Sequence, residues 1–389
     1  MKIINVVGAR PNFMKIGPLI DEMKKHIRIE SILVHTEQHY DENMSRLFFD
    51  QLKLPEPDIY LGVGSGSHAQ QTARIMLEFE KVLIKEKPDL VIVVGDVNST
   101  IACALTASKL QIKIAHVEAG LRSFDRDMPE EINRMLTDCL SDYLFVTEKS
   151  GEINLLREGV EKNKIFFVGN VMIDTLLKHK ERAKDSRILF DLGLESEDGL
   201  GPKEHKIKPF ALVTLHRPGN VDVRDNFIGI LESLEEIQKH LKIIYPMHPR
   251  TRGNIEKFRL SQRFSFLEGA ESVSRDRGIV ILNPLGYLDF IKLMSEARLV
   301  LTDSGGVQEE TTALGVPCLT LRENTERPVT VSEGSNFIVG TKKDNIIKAA
   351  LTAINSTGKK GRIPEKWDGF AAQRIVDILL NTNKEVRQT

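Results

Sequence analysis

The sequence is short of cysteine, of excess charge and of long apolar runs, and each shortage excludes something. Three cysteines in 389 residues, Cys103, Cys139 and Cys318, are an odd and scattered set. They make no disulfide framework, and two lie in apolar sequence, which suits buried thiols in a reducing cytoplasm. Lys and Arg number 54 against 55 Asp and Glu, a net charge of −1. A general nucleic-acid binder carries a basic surplus instead. No apolar stretch reaches the roughly 18–20 residues of a membrane span. The opening Met1-Lys2-Ile3-Ile4-Asn5-Val6-Val7-Gly8 reads as a strand, without the charged-then-apolar layout of a signal peptide. The expectation is a cytoplasmic protein that acts on neither membrane nor nucleic acid.

Cofactor signatures are also missing. No G-x-G-x-x-G joins a strand to a helix: Gly62-Val63-Gly64-Ser65-Gly66-Ser67 lacks the third glycine, follows Pro57 and reads as a loop. No G-x-x-x-x-G-K-[ST] occurs, and Gly358-Lys359-Lys360-Gly361 is a basic turn. There is no H-E-x-x-H and no cysteine pair with zinc spacing. No cofactor and no metal are expected.

What is present is an ordinary globular composition, 41% hydrophobic and 28% charged, in a chain long enough for two domains. Strands are expected over 2–7, 31–35, 90–94, 112–117, 143–146 and 165–168, with helices over 15–25, 69–86, 99–110 and 129–141. Strand–helix alternation implies a parallel sheet with helices on both faces. The charged, glycine-bearing stretch from about 180 to 208 reads as a helix and an exposed link. Alternation resumes with strands over 210–215, 243–246, 279–282, 298–302, 317–321 and 337–339. A last helix covers 367–382, and the pattern leaves open which half it joins.

Polar residues cluster where strands end: Gly8-Ala9-Arg10-Pro11, Thr36-Glu37-Gln38-His39-Tyr40, Gly95-Asp96, Glu118-Ala119-Gly120, His216-Arg217, His248 and Asp303-Ser304-Gly305-Gly306. Singly, each has a plain reading: Asp or Ser before a helix is an N-cap, and Gly-Gly is a tight turn. Together they decorate the carboxyl edges of both sheets, where open parallel sheets bind ligands. Two sheets facing one cleft are therefore expected.

Asp303-Ser304-Gly305-Gly306-Val307-Gln308-Glu309-Glu310 is the most informative local motif. A strand runs into glycines that open a helix, which suits a phosphate or pyrophosphate. Glu310, about a turn further, can accept hydrogen bonds from ribose hydroxyls. Arg10 and Lys15 follow the first strand, where cations would face the same phosphates. Asp96, Glu118 and Glu130 remain as acids for proton transfer; Glu130 follows Pro129 at a helix start, where plain dipole stabilisation is the alternative.

With these residues collected, the chain resembles the non-hydrolysing UDP-N-acetylglucosamine 2-epimerases. The matching segments are GARPNFMK (8–15), QHYDENM (38–44), VGDVNST (94–100), HVEAGLRS (116–123), MPEEINR (128–134), TLHRPGN (214–220), HPRTR (248–252), LTDSGGVQEE (301–310) and LRENTERP (321–328). The resemblance implies an α/β fold of two Rossmann-like domains with parallel sheets facing a central cleft, the GT-B-type architecture. It implies an N-terminal domain of 1–178 plus 367–389 with the acid/base residues, and a UDP-binding domain of 205–366. It further implies conversion of UDP-GlcNAc to UDP-ManNAc by loss and re-addition of UDP at C1, through 2-acetamidoglucal, in a homodimer. By motif, Asp96, Glu118 and Glu130 resemble the family's acid/base carboxylates and His216 its essential histidine. Arg10, Ser304, Gly305 and Gly306, with Lys15 nearby, resemble pyrophosphate contacts. Glu310 resembles the ribose contact, Phe290 an apolar neighbour of uracil and Arg327 a substrate-site arginine.

Many bacterial members bind a second UDP-GlcNAc as activator, and Gln38, His39, Arg217 and His248 match parts of that regulatory site. The match is incomplete: Asp41 replaces a frequent Gln, the loop at Ser65-Gly66 lacks an Arg-Gln pair, and Arg217-Pro218-Gly219-Asn220 replaces Arg-Arg-Glu-Asn. The nearest competing activity is 2-epimerisation of UDP-2,3-diacetamido-glucuronate, whose branch shares GARPNFMK, QHYDENM and HPRTR. Thr325-Glu326-Arg327-Pro328 favours UDP-GlcNAc over that branch. A GT-B glycosyltransferase would leave the three acids without a task.

Overall fold

The computed structural model describes residues 1–37, 52–196, 206–264, 266–267, 276–355 and 361–385. The chain divides into two compact units, Met1–Lys178 with Glu365–Thr389, and His179–Pro364. Residues 179–204, which lie between the expected domain bounds, count with the second unit, and Glu365 and Lys366 with the first.

The first unit holds seven strands: β1 (Lys2–Val7), β2 (Glu30–His35), β3 (Ile59–Tyr60), β4 (Leu90–Val94), β5 (Lys113–Ala119), β6 (Tyr143–Val146) and β7 (Ile165–Phe167). They lie in the order β3-β2-β1-β4-β5-β6-β7, all parallel. All five residues of β4 are buried, which is why this strand reads as a continuous apolar run: helices cover both faces. Alternate side chains serve opposite faces. Ile3, Val7, Ile92 and Val94 pack with Phe13 and with Ile375 and Leu379, while Ile4, Val6, Val91 and Val93 pack with Ile75, Phe79 and Leu83. Each such side chain contributes about 1.5–3 kcal/mol. The helix His68–Glu86 starts at a reciprocal cap, the Gln70 N–H donating to Ser67 Oγ and the Ser67 N–H to Gln70 Oε1. Ser67→Ala would cost about 1 kcal/mol there.

The terminal helix, Ala371–Glu385, belongs to the first unit. Trp367 is buried before it and donates Nε1–H to the Thr147 carbonyl at 3.0 Å. Asp174 caps it, accepting the Ala371 and Ala372 N–H groups at 3.2 and 2.8 Å.

An antiparallel pair, β8 (Glu195–Ser196) and β9 (Lys206–Ile207), precedes the second sheet. That sheet comprises β10 (Phe210–Thr214), β11 (Lys242–Pro246), β12 (Phe266–Leu267), β13 (Ile279–Leu282), β14 (Leu299–Thr302), β15 (Cys318–Thr320) and β16 (Asn336–Ile338). Its order is β12-β13-β11-β10-β14-β15-β16, again all parallel. The expected α/β class with two Rossmann-like domains is the observed one. Strand order reverses between β1 and β4 and between β10 and β14, and the carboxyl ends there are the ligand positions of such sheets. No helix among the described residues is long and apolar enough to cross a membrane.

Candidate active site

At the first reversal, Asn12 organises the loop after β1. Its Oδ1 accepts the Gly8 and Ala9 N–H groups at 3.2 and 3.0 Å, and its Nδ2 donates to the Val94 carbonyl at 3.0 Å. The helix Arg10–Met23 therefore begins against the end of β4. One turn on, buried Lys15 pairs with buried Glu118. Such a pair offsets its own desolvation, and losing one partner costs about 3–5 kcal/mol. Glu118 is held with φ at +77°, where β5 slips register against β6. A side chain in that backbone conformation costs roughly 1–3 kcal/mol and persists only where its surroundings fix it.

Asp96 follows Gly95 after β4 and forms an ion pair with Arg134. Arg134 also donates to Glu131 Oε2 at 2.6 Å. Glu131 in turn accepts from Ser123 N and Oγ, both at 3.0 Å, and from Phe124 N at 2.9 Å. Burial pushes the Glu131 carboxyl up, but Ser123 and Arg134 outweigh it and hold the group below the ordinary range. Asn133 adds a hydrogen bond to the Asp96 carbonyl at 2.9 Å. Glu130, in the first turn of the helix Pro129–Leu140, is half-buried and has no hydrogen-bond or ion-pair partner among the described residues.

At the second reversal the organiser is Asp303, fully buried after β14. It accepts the His216 N–H at 3.1 Å, the Arg217 N–H at 2.9 Å and the Asn220 amide at 3.1 Å. His216 Nδ1 lies 3.0 Å from Asp303 Oδ1, with the His216 side chain 48% exposed. A carboxylate only accepts, so Nδ1 carries the proton and Nε2 is left for a ligand. Burial raises the Asp303 carboxyl, but His216 and the backbone donors bring it below its usual range. Ser304 holds the N-cap position of the helix Gly305–Leu314 without a side-chain hydrogen bond, and Asp96 is not an N-cap: Val97 holds that position for the helix after it.

Gly305 meets Arg327 closely: a Cβ there would lie 2.4 Å from the guanidinium NH1. Arg327 Nε stands 3.0 Å from Glu309 Oε2. Glu326 accepts from Arg322 at 2.9 Å and lies 3.7 Å from Arg217. Glu310 is buried and accepts the Tyr287 hydroxyl at 2.9 Å, and Phe290 is half-buried on the same helix as Tyr287, Tyr287–Glu296.

Most expected site residues thus fall into two groups, one per unit. Lys15 differs from its expected surroundings: it is buried against Glu118 among the acids. Arg10 is the first residue of its helix. Of the regulatory candidates, His248 opens the helix Pro249–Lys257, its Nδ1 accepting the Arg250 N–H at 3.2 Å, and Arg217 lies beside Glu326. Gln38 and His39 lie outside the described residues, as does Asp41. Reading the sequence missed the residues that hold the candidates: Asn12, Glu131, Arg134 and Tyr287, and Asp303 as an acceptor.

A sequence model of the UDP-N-acetylglucosamine 2-epimerase family matches residues 21–380. A UDP-N-acetylglucosamine 2-epimerase of Methanocaldococcus jannaschii is 44% identical, over 97% of this chain and 99% of its own. A crystal structure of the UDP-GlcNAc 2-epimerase from that organism, in complex with UDP-GlcNAc and UDP, superposes with a TM-score of 0.86 at 44% identity, covering 98% of this chain and 100% of that one. A UDP-2,3-diacetamido-2,3-dideoxy-D-glucuronate 2-epimerase of Pseudomonas aeruginosa is also 44% identical, over 97% of this chain and 99% of its own. A family match across most of the chain, with two seven-stranded parallel sheets beneath it, has one meaning: this protein belongs to the UDP-N-acetylglucosamine 2-epimerase family.

Proposed function

We propose that this protein interconverts UDP-GlcNAc and UDP-ManNAc by inverting C2 of the sugar. The observation that carries the reading is Glu118, a buried carboxylate paired with Lys15 beside the loop that presents Asp96. The C2 proton adjoins no carbonyl, so its removal needs a departing group. A carboxylate takes that proton, and the C2–H electron pair becomes the C1–C2 double bond. UDP leaves with the electron pair of the C1–O bond, giving 2-acetamidoglucal. Proton return to the opposite face of C2 and attack of UDP at C1 complete the inversion. Asp96, Glu118 and Glu130 supply the proton steps. Arg10, His216, Ser304 and the amides at Gly305 and Gly306 stabilise the leaving pyrophosphate. Arg327, its guanidinium against Gly305, contacts the substrate, Glu310 takes the ribose hydroxyls and Phe290 borders uracil. Lys15 pairs with Glu118 in its buried setting.

Incubation with UDP-GlcNAc in heavy water tests this. Expected is UDP-ManNAc carrying deuterium at C2, with little free UDP. Stoichiometric ManNAc and UDP would show hydrolysis, and no reaction without an acceptor would show a transferase. The Pseudomonas aeruginosa relative supports a second reading, in which UDP-2,3-diacetamido-glucuronate is epimerised. Deuterium uptake at C2 of that sugar alone would establish it over UDP-GlcNAc.

A further inference from the structure

Asp96 and Glu118 leave from different strands, and one buried side chain ties the two strand ends together. His116, in β5, is fully buried. Its Nε2 lies 2.8 Å from the Gly95 carbonyl oxygen and its Nδ1 2.6 Å from Asp138 Oδ1. Both neighbours are acceptors. The carbonyl has no proton to give, and Asp138 Oδ2 already receives the Gly120 N–H at 3.1 Å and the Arg122 guanidinium at 2.7 Å. An imidazole with one proton can donate to only one acceptor, so the ring serves both with a proton on each nitrogen. Arg122 is matched in turn by Glu158, through hydrogen bonds of 2.8 and 2.6 Å. The cluster of His116, Asp138, Arg122 and Glu158 then balances its charges.

Gly95 shows what this grip controls. Its φ is +68°, and a Cβ there would lie 2.9 Å from Lys15 Nζ and 3.4 Å from Glu118 Oε2. The Gly95 α-carbon is therefore the floor under the Lys15–Glu118 pair, while its carbonyl is held by His116. Asp96 is the next residue, and Gly120, tied to Asp138, lies two residues beyond Glu118.

We propose that His116, protonated on both ring nitrogens and anchored by Asp138, is a positioning residue that fixes the Gly95 peptide and through it the spacing of Asp96 and the Lys15–Glu118 pair. Its kinetic consequence rests on the epimerase reading; its structural consequence does not.

Two measurements test it. Nitrogen-15 NMR of the ring nitrogens in the unaltered enzyme, at the pH of the assay, is expected to show two protonated nitrogens for His116. A singly protonated ring overturns the proposal. In turnover, His116→Gln is expected to lower kcat about 100-fold, the scale of a misplacement of about 1 Å. KM and the affinity for UDP should stay within about threefold, because the lost contact acts on the reacting groups alone. Unchanged kcat per folded molecule overturns the proposal. Asp138→Asn keeps the grip: Asn can donate to Nδ1 while Nε2–H still reaches Gly95. Its kcat loss should be about tenfold or less, and a loss matching that of His116→Gln overturns the positioning role. If His116→Gln does not fold, the ring measurement and Asp138→Asn decide. An unaltered enzyme that turns over neither UDP-sugar removes the epimerase reading, and the ring measurement still decides the protonation.

Discussion

In the first unit the candidate groups are mostly held by charged partners. Lys15 and Glu118 are buried against each other, Asp96 is paired with Arg134, and Arg134 is shared with Glu131. In the second unit the candidates include two glycines, a serine and a histidine that is 48% exposed. Both sites occupy the point where strand order reverses. On the proposed reading the same topology serves two tasks. Proton transfer needs carboxylates whose charge and position are set before the sugar arrives. A pyrophosphate brings its own charge and needs donors it can meet, which glycine amides at a helix start provide.

The largest effect should come from separating those tasks. On the proposed reading Glu118→Gln removes a proton-transfer carboxylate without changing its shape, and kcat is expected to fall by about 1,000-fold or more. The affinity of the variant for UDP, read by calorimetry, should stay within about threefold. A parallel collapse of UDP binding would break the division between the units.

Next comes backbone packing. Gly120 has φ at +77°, and a Cβ there would lie 2.4 Å from the Gly151 carbonyl oxygen. Both obstacles are backbone, so no rotamer change relieves them. Gly120→Ala should lose about 3 kcal/mol or more in urea unfolding. Gly219, beside His216 in the other unit, has nothing within 4 Å of its Cβ position. Gly219→Ala should stay within about 0.5 kcal/mol. Similar losses for the two variants would show that the second site is as tightly built as the first.

The strand ends at these sites were legible because each apolar run stops at a glycine or polar cluster, a local signal. The two-residue strands β3 and β12 are too short to show alternation and were not expected. Lys15 was read as a phosphate cation. Its partner lies 103 residues away, and no spacing rule reaches that far. Glu131 was passed over for its neighbour Glu130. The one available signal was Arg134 three residues on, an i,i+3 pair that turns Glu131 inward. Asp303 stood inside the phosphate motif, yet its role as an acceptor for the loop after β10 depends on the β10–β14 register. The terminal helix had an apolar face that either half could have covered; Trp367 and Asp174 settle it through contacts distant in sequence.

The smallest contrast concerns pH. Asp174, in the first unit, is raised from an ordinary 3.8 to about 6, because burial outweighs the Ala371 and Ala372 N–H groups that it accepts. Glu326, in the second, is lowered from 4.5 to about 2: burial pushes it up, but Arg327 and Arg322 prevail. The signs oppose. With its pKa raised on folding, Asp174 favours the folded state in acid, and that contribution disappears as pH rises from about 4 through 6. With its pKa depressed, Glu326 contributes fully above about 4.5 and loses the contribution as pH falls toward 2. Each gap corresponds to about 3 kcal/mol. Urea unfolding of Asp174→Asn and Glu326→Gln against the unaltered protein, from pH 3 to 7, should therefore give differences that slope in opposite directions. The deficit of Asp174→Asn shrinks toward neutrality, and that of Glu326→Gln grows. Parallel slopes would mean that burial alone sets the response of both carboxyls, and that the guanidiniums around Glu326 do not distinguish the second unit from the first.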